Sequence, residues 1–265
     1  MDEFENMMAE FNDWLEDAKK KIKASVQIDP SKLDAFVKII AELFSIKQKY
    51  ADKLSELRTA AEEKIVRLEY SKGGETIHRG YYCPSPVLDL IIGGMKRGRL
   101  FKKKKPEFGN YSYEYGFDMD GRLLRVKGVN EFTTPNSRFN EEYLIYIGDV
   151  VYGLEFDNLG ELGVVSKCIY DNGKLMKYER SVCGMEKFAD LHYEEYTYDN
   201  DRLSEVDFFF NISPQLELYE EERLSVEHDQ DGNIIRLISD EIVDGKAEQF
   251  IYNVKPPKKT ATLKI

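Results

Sequence analysis

The strongest constraint on this chain is a change of hydrophobic period near residue 108. Before it, apolar residues recur every three or four positions; after it, aromatic and β-branched residues alternate with others. Tyr111, Tyr113, Tyr115 and Phe117 open the pattern, and Tyr196 and Tyr198, then Val206, Phe208 and Phe210, then Leu216 and Leu218 repeat it. Alternation of this kind describes half-buried antiparallel strands. Between the runs stand Asp118-Met119-Asp120-Gly121, Asp157-Asn158-Leu159-Gly160, Asp171-Asn172-Gly173, Asp199-Asn200-Asp201, Asp229-Gln230-Asp231-Gly232 and Asp244-Gly245. These residues tolerate positive φ or bond their own backbone, as hairpin turns require. Pro135-Asn136, Gly184-Met185 and Ser213-Pro214 supply further turns in the longer gaps. The expectation is an antiparallel β-meander of about nine or ten strands over residues 108–265.

The front of the chain reads as helix. Phe4, Met8, Phe11, Leu15, Ala18 and Ile22 fall on one helical face, with acids first and Lys19, Lys20, Lys21 and Lys23 last, as a helix dipole prefers. Asp29-Pro30-Ser31 restarts the chain with capping residues and a first-turn proline. Residues 31–72 contain neither Gly nor Pro, and Leu33, Phe36, Val37, Ile40, Leu43, Phe44, Tyr50, Leu54, Leu57, Ala61, Ile65 and Leu68 keep helical spacing through most of them. The prediction is an antiparallel helical hairpin over 1–72 whose second helix is long and partly covers the sheet. The fold class is therefore α+β, with residues 73–107 as a basic bridge.

Charge divides the chain along the same lines. Residues 1–72 carry 15 acidic and 13 basic side chains, residues 73–105 carry 2 and 8, and residues 106–265 carry 32 and 17. The last part is therefore −15 of the total −11, and it holds 23 of the 33 aromatics. No run approaches the roughly 18 apolar residues of a membrane span. The acidic start, Met1-Asp2-Glu3, is unlike a secretory leader, and three cysteines do not make a disulfide framework. A soluble cytoplasmic protein is expected.

Tyr113-Glu114-Tyr115-Gly116-Phe117-Asp118-Met119-Asp120-Gly121-Arg122-Leu123 resembles the tyrosine–aspartate (YD) repeat of Rhs-type proteins. Tyr170-Asp171-Asn172-Gly173-Lys174-Leu175 and Tyr196-Thr197-Tyr198-Asp199-Asn200-Asp201-Arg202-Leu203 are similar, and Asp229-Gln230-Asp231-Gly232-Asn233-Ile234 keeps the turn without the tyrosine. The resemblance covers scattered parts of 111–250 and implies hairpin architecture. A cytoplasmic acidic sheet with such hairpins also resembles, in general type, the immunity proteins of bacterial polymorphic-toxin loci.

Chemistry-bearing residues are few. His78 and Cys83 stand five apart in a Gly/Pro-rich stretch, where a nucleophile and base could meet, but no orienting carboxylate has a recognisable spacing. No His or Cys pair has zinc spacing, so neither a metal nor a cofactor is expected. The Asp-x-Asp-Gly stretches lack the remaining calcium-loop positions and read as turns. Gly93-Gly94-Met95-Lys96-Arg97-Gly98 matches no phosphate-loop pattern.

Two charged features remain. Lys96, Arg97, Arg99, Lys102, Lys103, Lys104 and Lys105 put seven cations in ten residues. They could meet phosphates, with Phe101 stacking on a base, yet the −15 body repels a polyanion, so a solvated loop or one docked on the protein's own acids is favoured. Glu194, Glu195, Tyr196, Tyr198, Tyr219, Glu220, Glu221, Glu222, Asp240 and Glu241 form an acidic aromatic stretch suited to a basic protein partner. The leading expectation is a non-catalytic protein-binding module, an immunity protein neutralising a toxin through that stretch. A scaffold self-associating through the helical hairpin, and an enzyme around His78 and Cys83, are the alternatives.

Overall fold

The computed structural model describes residues 30–73, 77–91, 97–101, 105–129, 139–182, 190–211, 219–243 and 246–254. Helices α1 (Pro30–Tyr50) and α2 (Leu54–Glu62) lead into strand β1 (Arg67–Lys72). A 3-10 turn at Gly80–Tyr82, the short helix α3 (Leu88–Ile91) and strand β2 (Arg99–Phe101) follow. Eleven more strands follow among the described residues: β3 (Ser112–Phe117), β4 (Leu123–Val129), β5 (Asn140–Ile147), β6 (Val150–Phe156), β7 (Leu162–Asp171), β8 (Lys174–Val182), β9 (His192–Asp199), β10 (Arg202–Asn211), β11 (Tyr219–His228), β12 (Ile234–Val243) and β13 (Lys246–Asn253). All thirteen form one open antiparallel sheet: β13 to β3 lie side by side in reverse chain order, then β1, then β2 at the edge.

The turns use the chemistry read from the sequence. Asp118 Oδ1 accepts the N–H groups of Asp120 at 3.0 Å and Arg122 at 2.8 Å, and Asp229 Oδ1 does the same for Asp231 and Asn233 at 2.9 Å. Asn172, Asn200 and Asp201 take φ of 48°, 46° and 67°, values that Asn and Asp reach more readily than most residues.

Two expectations need correction. The sheet has thirteen strands rather than nine or ten, eleven of them in the predicted meander region. The long second helix is absent: the chain breaks at 51–53, resumes as the nine-residue α2, and becomes β1 before residue 72. The first arm of the predicted hairpin, and the turns at 135–136, 184–185, 213–214 and 244–245, lie outside the described residues. β1 escaped the periodicity argument because its inward residues are polar. Glu69 and Ser71 are buried while Leu68 is exposed, so the strand's apolar residue continues a helical spacing by coincidence.

The sheet has two differently covered faces. On one, Phe36, Val37, Ile40 and Leu43 of α1 pack on Tyr143, Leu154, Phe156, Val165, Tyr193 and Phe209. Phe36 stacks on Phe209 with centroids 4.1 Å apart, and Glu42 accepts from Tyr152 Oη at 2.9 Å and Lys167 Nζ at 2.7 Å. The other face is covered by residues 77–91, and it is concave. Tyr81 N–H bonds Tyr115 Oη on β3 at 3.0 Å, whereas Ser85 Oγ bonds Glu194 on β9 at 2.7 Å. Six strand spacings separate β3 from β9, about 29 Å on a flat sheet. Four residues of chain reach only about 14 Å. Val87 of this segment shares one buried cluster with Tyr115 and Phe117 of β3, Tyr178 of β8 and Leu237 of β12, so the sheet curls around it.

Candidate functional site

Alternation of β5 to β9 sends Glu142, Ser166, Tyr178, Arg180, His192 and Glu194 to the concave face, where the 77–91 segment meets them. Arg79 sits at φ 60°, a left-handed conformation uncommon for such a residue. Its guanidinium is buried and donates to Glu142 Oε1 from Nε at 2.9 Å and Nη2 at 2.7 Å, and to Ser166 Oγ at 3.0 Å. Gly153 makes room for this group: a Cβ there would stand 2.0 Å from Glu142 Oε1 and 2.3 Å from Arg79 Nη2.

The electrostatics of the cluster fix its protons. Burial pushes the His78 imidazole down to about 4, against the pull of Glu142, so the ring is neutral near pH 7. Burial alone would raise the Glu142 carboxyl, but Arg79 and His78 hold it well below the usual carboxylate range. The ionised carboxylate can only accept, so His78 Nε2–H donates to it at 3.1 Å and Nδ1 accepts from Tyr178 Oη at 2.6 Å. A second knot lies on β9. Glu194 is 0% exposed and receives Ser85 Oγ at 2.7 Å, His192 Nε2 at 2.6 Å and Tyr196 Oη at 2.7 Å. Beside the first knot, Arg79, Glu142, Glu155 and Arg180 border a pocket of about 190 Å³.

His78 turns its ring nitrogens to Tyr178 and Glu142 and not to Cys83. Cys83 packs with Ile77, Leu88 and Phe208, and burial pushes its thiol up to about 12. A thiol so protonated is a poor nucleophile. Both nitrogens of His78 are occupied as described.

The predicted acidic aromatic stretch is divided by the sheet, because successive strand residues face opposite ways. Glu194 and Tyr196 are interior, and they bond each other. Tyr198 donates to the Leu175 carbonyl at 2.8 Å, and Glu222 lies 3.3 Å from Tyr252 Oη. Glu195, Glu221 and Asp240 face the α1 side, where they meet Lys177 at 3.1 Å, Lys32, and Gln249 at 3.0 Å respectively. Tyr219 and Glu220 pair in register with Asn211 and Phe210, and Glu241 with Glu248.

In the basic run, Arg97 is a structural residue. It forms a two-point pair with Asp89, Nε and Nη2 each at 3.0 Å, and donates to the carbonyls of Cys83 and Ser85. Arg99 lies over Phe101, and Lys105 stands 3.9 Å from Glu114 and over Phe108. Lys96, Lys102, Lys103 and Lys104 lie outside the described residues.

Topology assembles what the sequence scatters. The turns at 118–122, 148–149, 172–173, 200–201 and 229–233 join β3 to β4, β5 to β6, β7 to β8, β9 to β10 and β11 to β12. Strand direction alternates, so all five lie at the same end of the sheet. Asp118, Asp120, Asp149, Asp171, Asp199, Asp201, Asp229 and Asp231 stand there against Arg122, Lys174 and Arg202. Met119 is 88% and Ile147 55% exposed at the same end. The sequence signal for this rim was present in the turn motifs; only the parity of the turns was needed to collect them.

No protein family matches the chain, and no curated protein does. Among solved structures, it is similar to a porin-like protein from Bacteroides uniformis ATCC 8492 at 11% identity, over 53% of this chain and 88% of that one. The TM-score is 0.20, and this likeness carries no argument about fold or function. Among the described residues no helix is long and apolar enough to cross a membrane.

Proposed function

We propose that this chain is a non-catalytic binding module that takes a basic protein partner on its aspartate-bearing end, as an immunity protein would take a cognate toxin. One observation carries the reading: among the described residues, five hairpin tips bring eight aspartates to one end of a single sheet, against three cations on those tips and Arg67 at the start of β1. An anionic rim in which aspartates outnumber cations, even with Lys174 paired to Asp201, speeds encounter with a cationic surface and selects against anionic ones. Exposed Met119 and Ile147 supply apolar anchors within it. The acids on the α1 side are a weaker candidate surface, since Glu195, Glu221 and Asp207 each already hold a cation there.

The first partner to test is the product of the neighbouring reading frame, expected to have a toxin-like carboxyl terminus. Calorimetry at low salt should show a tight complex, weakened at least ten-fold by Asp120→Lys with Asp201→Lys. Absence of a complex at low salt overturns the proposal. Undiminished binding by the double variant removes the rim from it.

A further inference from the structure

The pocket beside the Arg79–Glu142 knot holds a cation that the fold leaves poorly matched. Arg180 projects from β8 into the concave side, next in register to Ser166 and His192. Its nearest carboxylate oxygen, on Glu155, is 4.0 Å from Nη2, beyond hydrogen-bond reach. Its Nε is buried with no hydrogen-bond partner. A guanidinium taken out of water in this way is costly unless an acceptor completes it. The contrast with Arg79 is direct, since Arg79 has Glu142 at 2.7 and 2.9 Å and Ser166 besides.

Arg180 nevertheless keeps 24% of its side-chain exposure, and it lines the pocket with Glu155, Asn140, Tyr113, Val126 and Val129. Burial raises the Glu155 carboxyl above its ordinary value, and its pairing with Arg180 is a long one. The charges present select the ligand class. Arg79 is hydrogen-bonded to Glu142, whereas Arg180 has Glu155 only at a long 4.0 Å and no hydrogen-bonded carboxylate, and a dianion would face both Glu142 and Glu155. The pocket, about 190 Å³, has the volume of roughly six waters at ~30 Å³ each, well below the ~300 Å³ where drug-sized sites begin. Val126, opposite Glu142 in register, gives it an apolar side that suits a short chain.

We propose that this pocket binds a small aliphatic monocarboxylate, with the carboxylate on the Arg180 guanidinium and the chain against Val126. A planar carboxylate matches the planar guanidinium fork. The site is separate from the hairpin rim and stands whether or not the rim binds a protein.

The test titrates the ¹⁵N-labelled full chain with sodium butyrate at constant ionic strength and follows the arginine Nε–Hε resonances. Arg180→Lys identifies the Arg180 signal by its loss. A saturable shift of that signal is expected, with neutral butyramide and inorganic phosphate at least ten-fold weaker. Calorimetry on Arg180→Gln should show at least a ten-fold loss of butyrate affinity. The wild-type titration decides the matter even if that variant does not fold. No saturable shift with butyrate, or equal or stronger binding of butyramide or phosphate, overturns the proposal.

Discussion

Replacing Glu142 by glutamine removes the carboxylate that both Arg79 and His78 address, with almost no change of volume. Arg79 and Glu142 are each 4% exposed at the side chain, so water cannot take over. The wild-type carboxylate receives two N–H groups from Arg79, at 2.9 and 2.7 Å, and one from His78 at 3.1 Å. An amide can accept some of these but cannot balance the guanidinium charge. Breaking a buried pair by removing one partner costs about 3–5 kcal/mol. With an m-value near 3 kcal/mol per molar urea for a chain of this size, ~4 kcal/mol moves the midpoint by about 1.3 M. Urea unfolding at pH 7, followed by circular dichroism and fluorescence, measures it. The double replacement Arg79→Met with Glu142→Leu removes both charges and should recover most of the loss, since apolar replacement of a whole buried pair is often neutral. A Glu142→Gln midpoint within 0.3 M (about 1 kcal/mol) of the wild type would refute the reasoning. So would a double variant no better than the single one.

Gly153→Ala should destabilise by about 2–4 kcal/mol, through overpacking and displacement of a buried charge pair. Its Cβ would stand within 2.4 Å of Glu142, Arg79 and Ser166 atoms, and a thermal melt checks it. Acid should destabilise the fold earlier than the carboxylates alone require. His78 titrates near 6.5 when unfolded but near 4 when folded, so the unfolded state binds more protons between those values and stability falls as pH falls through them. The loss is roughly 3 kcal/mol and should shrink in His78→Gln, read as unfolding midpoints from pH 7 to pH 4. Below about 4.5, protonation of Glu142 in the unfolded chain adds to it.

Local chemistry in the sequence reached a long way into this fold. Alternating aromatics and Asp/Gly turns describe hairpins within ten or so residues, and hairpins add up to a meander whatever lies far away. What escaped was non-local. β1 carries its polar residues inward because Ser71 meets Tyr115 Oη at 2.8 Å, a partner 44 residues on. The break at 51–53 has no Gly or Pro to announce it. Glu142 gains its role only when Arg79, 63 residues earlier, is brought to it. Glu194 and Glu195 look like one patch, yet a strand sends them to opposite faces. The hairpin rim lay within reach of the turn motifs, because alternate turns of a meander must share an end.

Hydrogen exchange of the protein with and without the toxin-like product of the neighbouring frame tests the central claim most directly. Protection concentrated at 118–122, 148–149, 172–173, 200–201 and 229–233 is the predicted footprint. Protection confined to the α1 side of β9 to β12, or to the opposite end of the sheet, would contradict it.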